Sequence, residues 1–381
     1  MFLGIRELAF ARGRFGLMGL VVALISLLMV LLSGLSTGLV NDGVSGLIRL
    51  PVTSFAFEEG TELDSAFSRS TVTAEQAAAW GRQRGVADAG LFGNALVNAE
   101  ASGADGAATP VDLALFGIEA GSWLAPTAVD GTGLGEDPDG IVVSSTVAER
   151  GIGIGDVVTI DRLGTRLTVV GITADQRTFG HVDIAYVPLR TWQEIHAGVA
   201  PGEQARPEIY EEATAVAVLA RDGATVDLGA GDAAVGTTSR TLEESYGASP
   251  GYTAETTTLD LIEGFLYVIS ALLIGAFFTV WTINRRHELA VLRAMGATTG
   301  HLVRDTIGQA AVVLVAATAV GVAVGVGAGA LLSGSAMPFA LEAGPVTVAS
   351  LLLVLLGLLG AAAAALRIAR IDPLTALGGA R

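Results

Sequence analysis

A carboxylate inside an apolar segment is the first feature of this sequence that could do chemistry. Glu263 is the single charged residue between Leu261 and Ile283. Asp260 and Tyr267 lie three residues before it and four after it, so in a helix all three share one face. An ionisable group costs about 2.5–3.5 kcal/mol to insert into a bilayer, which makes Glu263 a candidate functional residue. In the alternative interpretation, Glu263 extends to the outer interface and only holds a helix end.

No other arrangement of residues predicts catalysis or a resident metal. The two histidines of the long central segment, His181 and His196, lack a third partner at metal-ligand spacing, which is typical of surface or core histidines. The glycines at 151, 153 and 155 precede a strand-like run instead of a long helix, so a turn is favoured over a phosphate site. The chain has no cysteine, which excludes disulfides and thiolate chemistry.

Four apolar segments must position these residues. Phe15 to Val40 carries no charge over 26 residues, enough to cross a membrane, and it is too long for a signal peptide. Three more spans are predicted at Leu261 to Ile283, from Thr306 to about Ser333, and at Val346 to Leu366. Glycines 321, 325 and 329 form a small-residue face that favours close helix packing.

The distribution of arginine predicts the orientation of the chain. The segments flanking the spans on one side hold ten arginines and four acids, whereas residues 41–259 hold 12 arginines and 31 acids. Cytoplasmic flanks are enriched in basic residues, so both termini are expected inside and the acidic segment outside, in a plasma-membrane protein.

The outer segment is long enough for one or two domains and its pattern is mostly β. Short apolar runs between residues 141 and 189, separated by glycine and aspartate, predict a small antiparallel sheet or barrel. A helix is expected near Ala74 to Gln83, strands at 89–97 and 111–118, and a turn-rich connection from Ala101 to Pro110.

The predicted fold class is an α-helical membrane protein with one plus three transmembrane helices and a mixed α/β extracytoplasmic domain between the first and second. Its segments are an N-terminal amphipathic helix (1–14), spans one to four (15–40, 260–283, 305–333, 346–366), the outer domain (41–259), a cytoplasmic loop (284–304), an outer loop (334–345) and a cytoplasmic tail (367–381).

The cytoplasmic loop predicts a short amphipathic helix. Leu289, Leu292 and Met295 share one face, and Gly296 follows at the position of a helix C-cap. Such a helix either anchors the loop at the interface or acts as a lever for a cytoplasmic partner.

The run from Arg285 to Ala297 (RRHELAVLRAMGA), the tail from Ala369 to Leu377 and the one-plus-three topology resemble the MacB/FtsX-like (type VII) permeases of ABC transporters. The N-terminal stretch from Glu7 to Phe15 is similar to that of the haem-exporter and DevC-type permeases. The resemblance covers the whole chain.

This resemblance implies a homodimer that works with two copies of a separate ATPase subunit, which would hold ATP and magnesium. The coupling residues it implies are Arg285, Arg286, His287, Glu288, Leu289, Leu292, Arg293, Met295 and Gly296. The chain contains no lysine and hence no phosphate loop, so it is expected not to be an enzyme. It also implies mechanotransmission, in which ATPase movement is converted into movement of the spans and the outer domain.

A haem substrate, which the resemblance suggests, would need an iron ligand, and the spans contain neither histidine nor cysteine. Candidate contacts are Glu263, Tyr267, Met29 and Asp260, with Arg49 available for the propionates. Met29 is also a good packing residue. We expect no intrinsic cofactor and no nucleic-acid partner, and membrane lipid as surroundings.

The sequence therefore predicts a permease subunit that exports haem or a similar amphipathic molecule. The alternatives are a mechanical regulator of a cell-wall hydrolase, as in FtsX-like relatives, and an exporter of a lipid or peptide.

Overall fold

The computed structural model describes residues 12–103, 108–135, 137–284, 291, 295–333 and 337–366. The chain divides into two compact units. The helical unit comprises residues 1–39 and 256–381, and the outer domain comprises residues 40–255.

Four of the helices are long and apolar enough to cross a membrane, namely α1, α8, α9 and α10. The described helices are α1 (Arg12–Ile48), α2 (Ala66–Arg69), α3 (Ala74–Gly81), α4 (Ser145–Glu149), α5 (Leu189–His196), α6 (Leu228–Val235), α7 (Leu242–Ser245), α8 (Tyr252–Asn284), α9 (Thr299–Leu332) and α10 (Ala343–Leu366). Helices α1 and α8 are continuous beyond the apolar runs seen in the sequence, and their ends belong to the outer domain.

The outer domain is built on strands. They are β1 (Ser54–Glu58), β2 (Val72–Thr73), β3 (Val86–Ser102), β4 (Ala108–Ile118), β5 (Ala128–Gly131), β6 (Gly140–Val143), β7 (Val157–Ile160), β8 (Arg166–Thr173), β9 (Thr178–Phe179), β10 (Val182–Pro188), β11 (Glu212–Ala213), β12 (Ala215–Ala220) and β13 (Thr237–Thr241).

Strand pairing closes part of the sheet into a small barrel. The order β3-β4-β10-β6-β8 returns to β3 through β7, which pairs with both β8 and β3. The prediction of an antiparallel sheet is wrong in part, because β10 pairs parallel with β4 and β6 pairs parallel with β8. Parallel neighbours need long crossover connections, and short apolar runs in a sequence do not reveal them.

The β3–β4 hairpin is longer than the sequence pattern suggests. Pairing runs from Gly93 with Gly117 to Ser102 with Ala108, so both strands extend into the stretch expected to be turn-rich. The glycines at 151, 153 and 155 do lie in a turn region, and strand β7 follows them.

Two large apolar clusters fill the outer domain. One contains a chain of aromatic rings in edge or tilted contacts, with centroids 4.9–5.7 Å apart for Phe55, Phe67, Phe92 and Phe116. The other lies inside the barrel and includes Trp192, which packs on Gly93 and Gly117. These cores fix the strand ends and the loops between them.

The helical unit packs through small residues. A Cβ at Gly321 of α9 would collide with the backbone of Ala23 in α1, and one at Gly360 of α10 would lie 2.6 Å from the carbonyl oxygen of Ala271 in α8. Ser26 donates a buried hydrogen bond of 3.1 Å to the carbonyl oxygen of Thr318. Close backbone approach of this kind is the means by which helices associate in lipid.

Candidate functional sites

The membrane candidates Glu263 and Tyr267 lie on the inward side of α8. Leu259, Ser270 and Ile274 are buried on this side of the helix, and Glu263 and Tyr267 are half-buried among them. Asp260 is exposed at the outer end of the same stretch. We call Asp260, Glu263 and Tyr267 the polar face of α8.

The other side of α8 is uniformly apolar. Phe265 is 60% exposed there, together with Leu261, Ile262, Val268, Ile269 and Leu272. A helix that meets only lipid has no need for a carboxylate and a phenol on its more buried side, because each costs free energy in hydrocarbon. The polar face is therefore a candidate contact for a molecule that carries a metal or polar groups.

Met29 and Arg49 have different environments. Met29 of α1 is buried in the helical unit, with 3% of its surface exposed. Arg49 follows α1 in the outer domain, where its Nε lies 3.6 Å from a carboxylate oxygen of Asp175. The structure thus brings Asp260, Glu263 and Tyr267 onto one face, whereas Arg49 has an acidic partner of its own.

A second site lies in the outer domain, where the end of α1 meets the start of α8 and the loop around residue 181. The Nδ1 atom of His181 is 2.8 Å from Oδ2 of Asp42, and its Nε2 atom is 3.2 Å from Oε2 of Glu255. We call Asp42, His181 and Glu255 the His181 clasp.

The backbone around the clasp is held by further hydrogen bonds. The amide of Gly180 donates to the carbonyl oxygen of Gly43 at 2.9 Å, and the hydroxyl of Ser249 donates to the same oxygen at 3.0 Å. The buried hydroxyls of Ser45 and Thr178 are 2.8 Å apart. These bonds join α1, the loop before β10 and the segment leading into α8.

His181 also has an unusual backbone conformation. Its φ angle is +64°, in the left-handed region that residues other than glycine seldom adopt. Such strain persists only where surrounding contacts maintain it, and it is found often at functional positions. The partners of the clasp come from three separate segments, so it connects two helix ends with a loop of the outer domain.

Sequence reasoning missed this clasp. The sequence favours an ordinary surface or core histidine at position 181, and the structure places this partly exposed residue between two carboxylates. Asp42 and Glu255 are 139 and 74 positions away from it, and no spacing rule connects residues so far apart. The one sequence feature that points to the clasp is the position of both acids, which lie just beyond the apolar parts of the two spans.

Most of the residues predicted to form a cytoplasmic coupling helix lie outside the described residues. This applies to Arg285, Arg286, His287, Glu288, Leu289, Leu292 and Arg293. Met295 is 71% exposed, and Gly296 has a φ of +99°, the backbone conformation expected of a glycine that ends a helix. The segment predicted to be an N-terminal amphipathic helix and the C-terminal tail also lie largely outside the described part.

Two family profiles match the chain and together cover most of it. The MacB-like periplasmic core domain matches residues 17–235, and the FtsX-like permease C-terminal domain matches residues 261–373. The first match alone covers more than half of the chain. The fold and these matches define a membrane permease with a large domain between its first two spans.

Known proteins similar to the chain include permeases whose name assigns them to a hemin transport system, HrtB. Two from Staphylococcus epidermidis are 32% identical over 34% of this chain, and the alignment spans only 36% of their own length. One from Staphylococcus haemolyticus is 22% identical over 98% of both chains.

Solved structures similar to the outer domain come from two transporters. The extracellular domain of YknZ from Gram-positive bacteria matches with a TM-score of 0.34 and 14% identity, over 50% of this chain and 98% of that domain. The periplasmic region of MacB from Actinobacillus actinomycetemcomitans matches with a TM-score of 0.35 and 12% identity, over 51% and 91%.

The chain belongs to the MacB/FtsX-like permease family of ABC transporters. It is a membrane protein, and the described part of the chain contains four helices that are long and apolar enough to span the membrane. Permeases of this family work with an ATPase subunit and are in general not enzymes themselves.

Proposed function

We propose that this chain is the permease subunit of an ATP-driven exporter that moves haem, or a similar amphipathic molecule, from the membrane to the outside. The observation that carries the proposal is the polar face of α8, where Glu263 and Tyr267 share the more buried side of an otherwise apolar helix. The HrtB relatives, named for hemin transport, support haem as the first choice of substrate.

The chemistry of the polar face suits ferric haem. A phenolate oxygen, as from Tyr267, is a known axial ligand of haem iron, and the carboxylate of Glu263 is a second oxygen donor one turn away. Met29 is buried by protein atoms and Arg49 is paired with Asp175, so both are weaker candidates.

The His181 clasp supports the mechanical part of the proposal. Asp42 and Glu255 lie on helices that continue as spans one and two, and His181 belongs to the loop before β10 of the barrel. A movement of either helix end must therefore strain the clasp or displace the loop. Both contacts are partly exposed, and even charged contacts at such positions are worth only about 0.2–1 kcal/mol, so they can break and form again during a cycle.

A homodimer with two ATPase subunits completes the proposed assembly. Within one chain, 17% of the apolar segment of α8 is buried, against 33% for each of the other three spans. Most of the surface of α8 is therefore left for lipid or for a second copy of the chain. With α8 near the two-fold axis, two polar faces would converge on one substrate. Both termini would be cytoplasmic, so that the segment between α8 and α9 could contact the ATPase.

A visible absorption titration of the purified full chain with hemin tests the proposal. We expect a saturable shift of the Soret band in the wild-type protein. Glu263→Ala and Tyr267→Phe should each weaken binding about tenfold or more, since each removes one oxygen donor. Met29→Ala should have a smaller effect, because its side chain already packs against protein.

Ile262→Ala is the matched control, because Ile262 neighbours Glu263 and is 47% exposed on the apolar side. This variant should bind hemin as the wild type does. Absence of a saturable shift, or an equal loss in the control and in both polar-face variants, would contradict the haem proposal. In that event a mechanical regulator of a cell-wall hydrolase, or an exporter of lipid or peptide, would become the better hypothesis.

A further inference from the structure

The outer domain contains a third candidate site, a cavity that is distinct from the polar face of α8 and from the His181 clasp. A cavity of about 290 Å³ opens between α2, β3, β9 and the end of α5. Its lining is mainly apolar and includes Phe67, Ser68, Asn94, Leu96, Phe179 and His196. Two aromatic rings and a leucine side chain give it the apolar walls that are typical of small-molecule sites.

Asn94 is the polar group that this cavity buries. Only 3% of its surface is exposed, and its side-chain Nδ2 has no hydrogen-bond partner among the described residues. A buried amide left unpaired costs about 1–3 kcal/mol, so it is seldom retained without a reason. The backbone amide of Asn94 donates a hydrogen bond of 3.0 Å to the hydroxyl of Thr214. The side-chain amide is therefore not required to hold the strand at this position.

The lining carries no permanent charge. Among the described residues that line the cavity none is Asp, Glu or Arg. His196 stacks on Trp192 with ring centroids 4.6 Å apart, and burial lowers the pKa of its imidazole below the usual value despite the opposing effect of Glu212. The imidazole is therefore neutral at physiological pH, so the cavity offers no charge to attract an ion.

The size of the cavity limits its ligand to a small molecule. An apolar cavity of about 150 Å³ is enough to hold benzene, so one about twice as large matches a bicyclic ring. We propose that this cavity, the outer pocket, binds an uncharged, naphthalene-sized apolar molecule, and that the side-chain amide of Asn94, whose Nδ2 is enclosed by protein in this structure, turns to donate a hydrogen bond to an acceptor on the ligand. Such a ligand is a second cargo or an effector of the outer domain.

Haem itself does not fit the outer pocket. Its propionates carry two negative charges, and no cation is among the described lining residues. A buried carboxylate without a partner is strongly unfavourable. The outer pocket and the polar face of α8 thus differ in the chemistry of what they can hold, and the two proposals fail or succeed independently.

The uncharged fluorophore prodan is a suitable probe, because it joins a naphthalene ring to a ketone acceptor. The purified full chain is titrated with prodan in detergent, and the saturable part of the emission increase is measured above the micelle background. We expect saturation at one prodan per chain in the wild type. Ser68→Phe should abolish this component by filling the cavity from the exposed end of α2, whereas the neighbouring Arg69→Phe should retain it.

A second variant tests the hydrogen bond. Asn94→Leu should weaken prodan binding about tenfold, the loss expected for one buried hydrogen bond. The affinity for 2-(dimethylamino)naphthalene, which lacks the ketone, should differ less than twofold between Asn94→Leu and the wild type. No saturable component in the wild type, or equal binding by Ser68→Phe and Arg69→Phe, would overturn the proposal. If Asn94→Leu lost affinity equally for both probes, the proposed ligand class would be overturned. Hemin binding, measured on the same variants, should be unchanged.

Discussion

The outer domain and the helical unit achieve close packing by opposite means. The outer domain buries large side chains, among them Trp80, Trp192 and Phe92, with at most 1% of their surfaces exposed. The helical unit buries fewer large side chains, Phe278 among them, and brings backbones together at glycines such as Gly321 and Gly360. Leucines at 17, 20, 24 and 28 of α1 remain more than half exposed.

This difference follows from the two solvents. In water the removal of apolar surface drives association, so large aromatic side chains give the greatest stabilisation. In lipid the apolar surface is already solvated, and close contact between backbones is what remains to favour association. A polar residue on the helices therefore carries more information about function than one on the domain surface.

The largest expected effect comes from the aromatic core of the outer domain. Phe92 contacts Phe55, Phe67 and Phe116, and Phe92→Ala should lower the free energy of unfolding of this domain by about 3–5 kcal/mol through the cavity it leaves. Denaturant titration followed by near-UV circular dichroism measures the loss. Val129→Ala, at a position 64% exposed, is the control and should change the midpoint little. Similar midpoints for the two variants would contradict the assignment of Phe92 to the core.

The glycine contacts of the helical unit should be next in size. Gly321→Leu places a side chain against the backbone of α1 and should cost about 1–3 kcal/mol or more through overpacking. Gly327→Leu lies in the same helix with open space around it, so it should be tolerated. Thermal loss of monodisperse protein in detergent compares the two. If Gly327→Leu were as damaging as Gly321→Leu, the close approach of α1 and α9 would be wrong.

The smallest expected effect is a pH dependence confined to the outer domain. The backbone amide of Thr241 and its hydroxyl donate to the carboxylate of Glu244, and these bonds lower the pKa of Glu244 below its usual value. The stabilisation is complete above the unfolded pKa of about 4.3 and is lost as the pH falls through the folded pKa.

Glu244→Gln should therefore flatten the dependence of outer-domain stability on pH in the acidic range, with little change at neutral pH. Denaturant midpoints at several pH values, measured for wild type and variant, test this expectation. An unchanged slope in the variant would show that Glu244 does not contribute to it.

Local patterns could be predicted from the sequence, whereas contacts between distant residues could not. Apolar runs such as Phe15 to Val40 imply membrane helices because their length and lack of charge are local properties. The motif from Arg285 to Ala297 indicates the family for the same reason. The parallel pairing of β10 with β4 and the His181 clasp could not be predicted, since both depend on contacts between residues far apart in sequence. The polar face of α8 was predictable because its residues are three and four positions apart.

ATP-dependent transfer of hemin is the most direct test of the central claim, that the chain exports haem through movement of its spans. Proteoliposomes would contain the chain with its ATPase subunit and hemin in the bilayer, with apomyoglobin on the side of the outer domain as acceptor. We predict that ATP accelerates the appearance of holomyoglobin and that Asp42→Asn, which weakens the His181 clasp, lowers this rate while hemin binding persists. Arg190→Gln, which removes an exposed ion pair with Glu194 elsewhere in the domain, should leave the rate unchanged. An active ATPase with no ATP-dependent transfer would contradict the account.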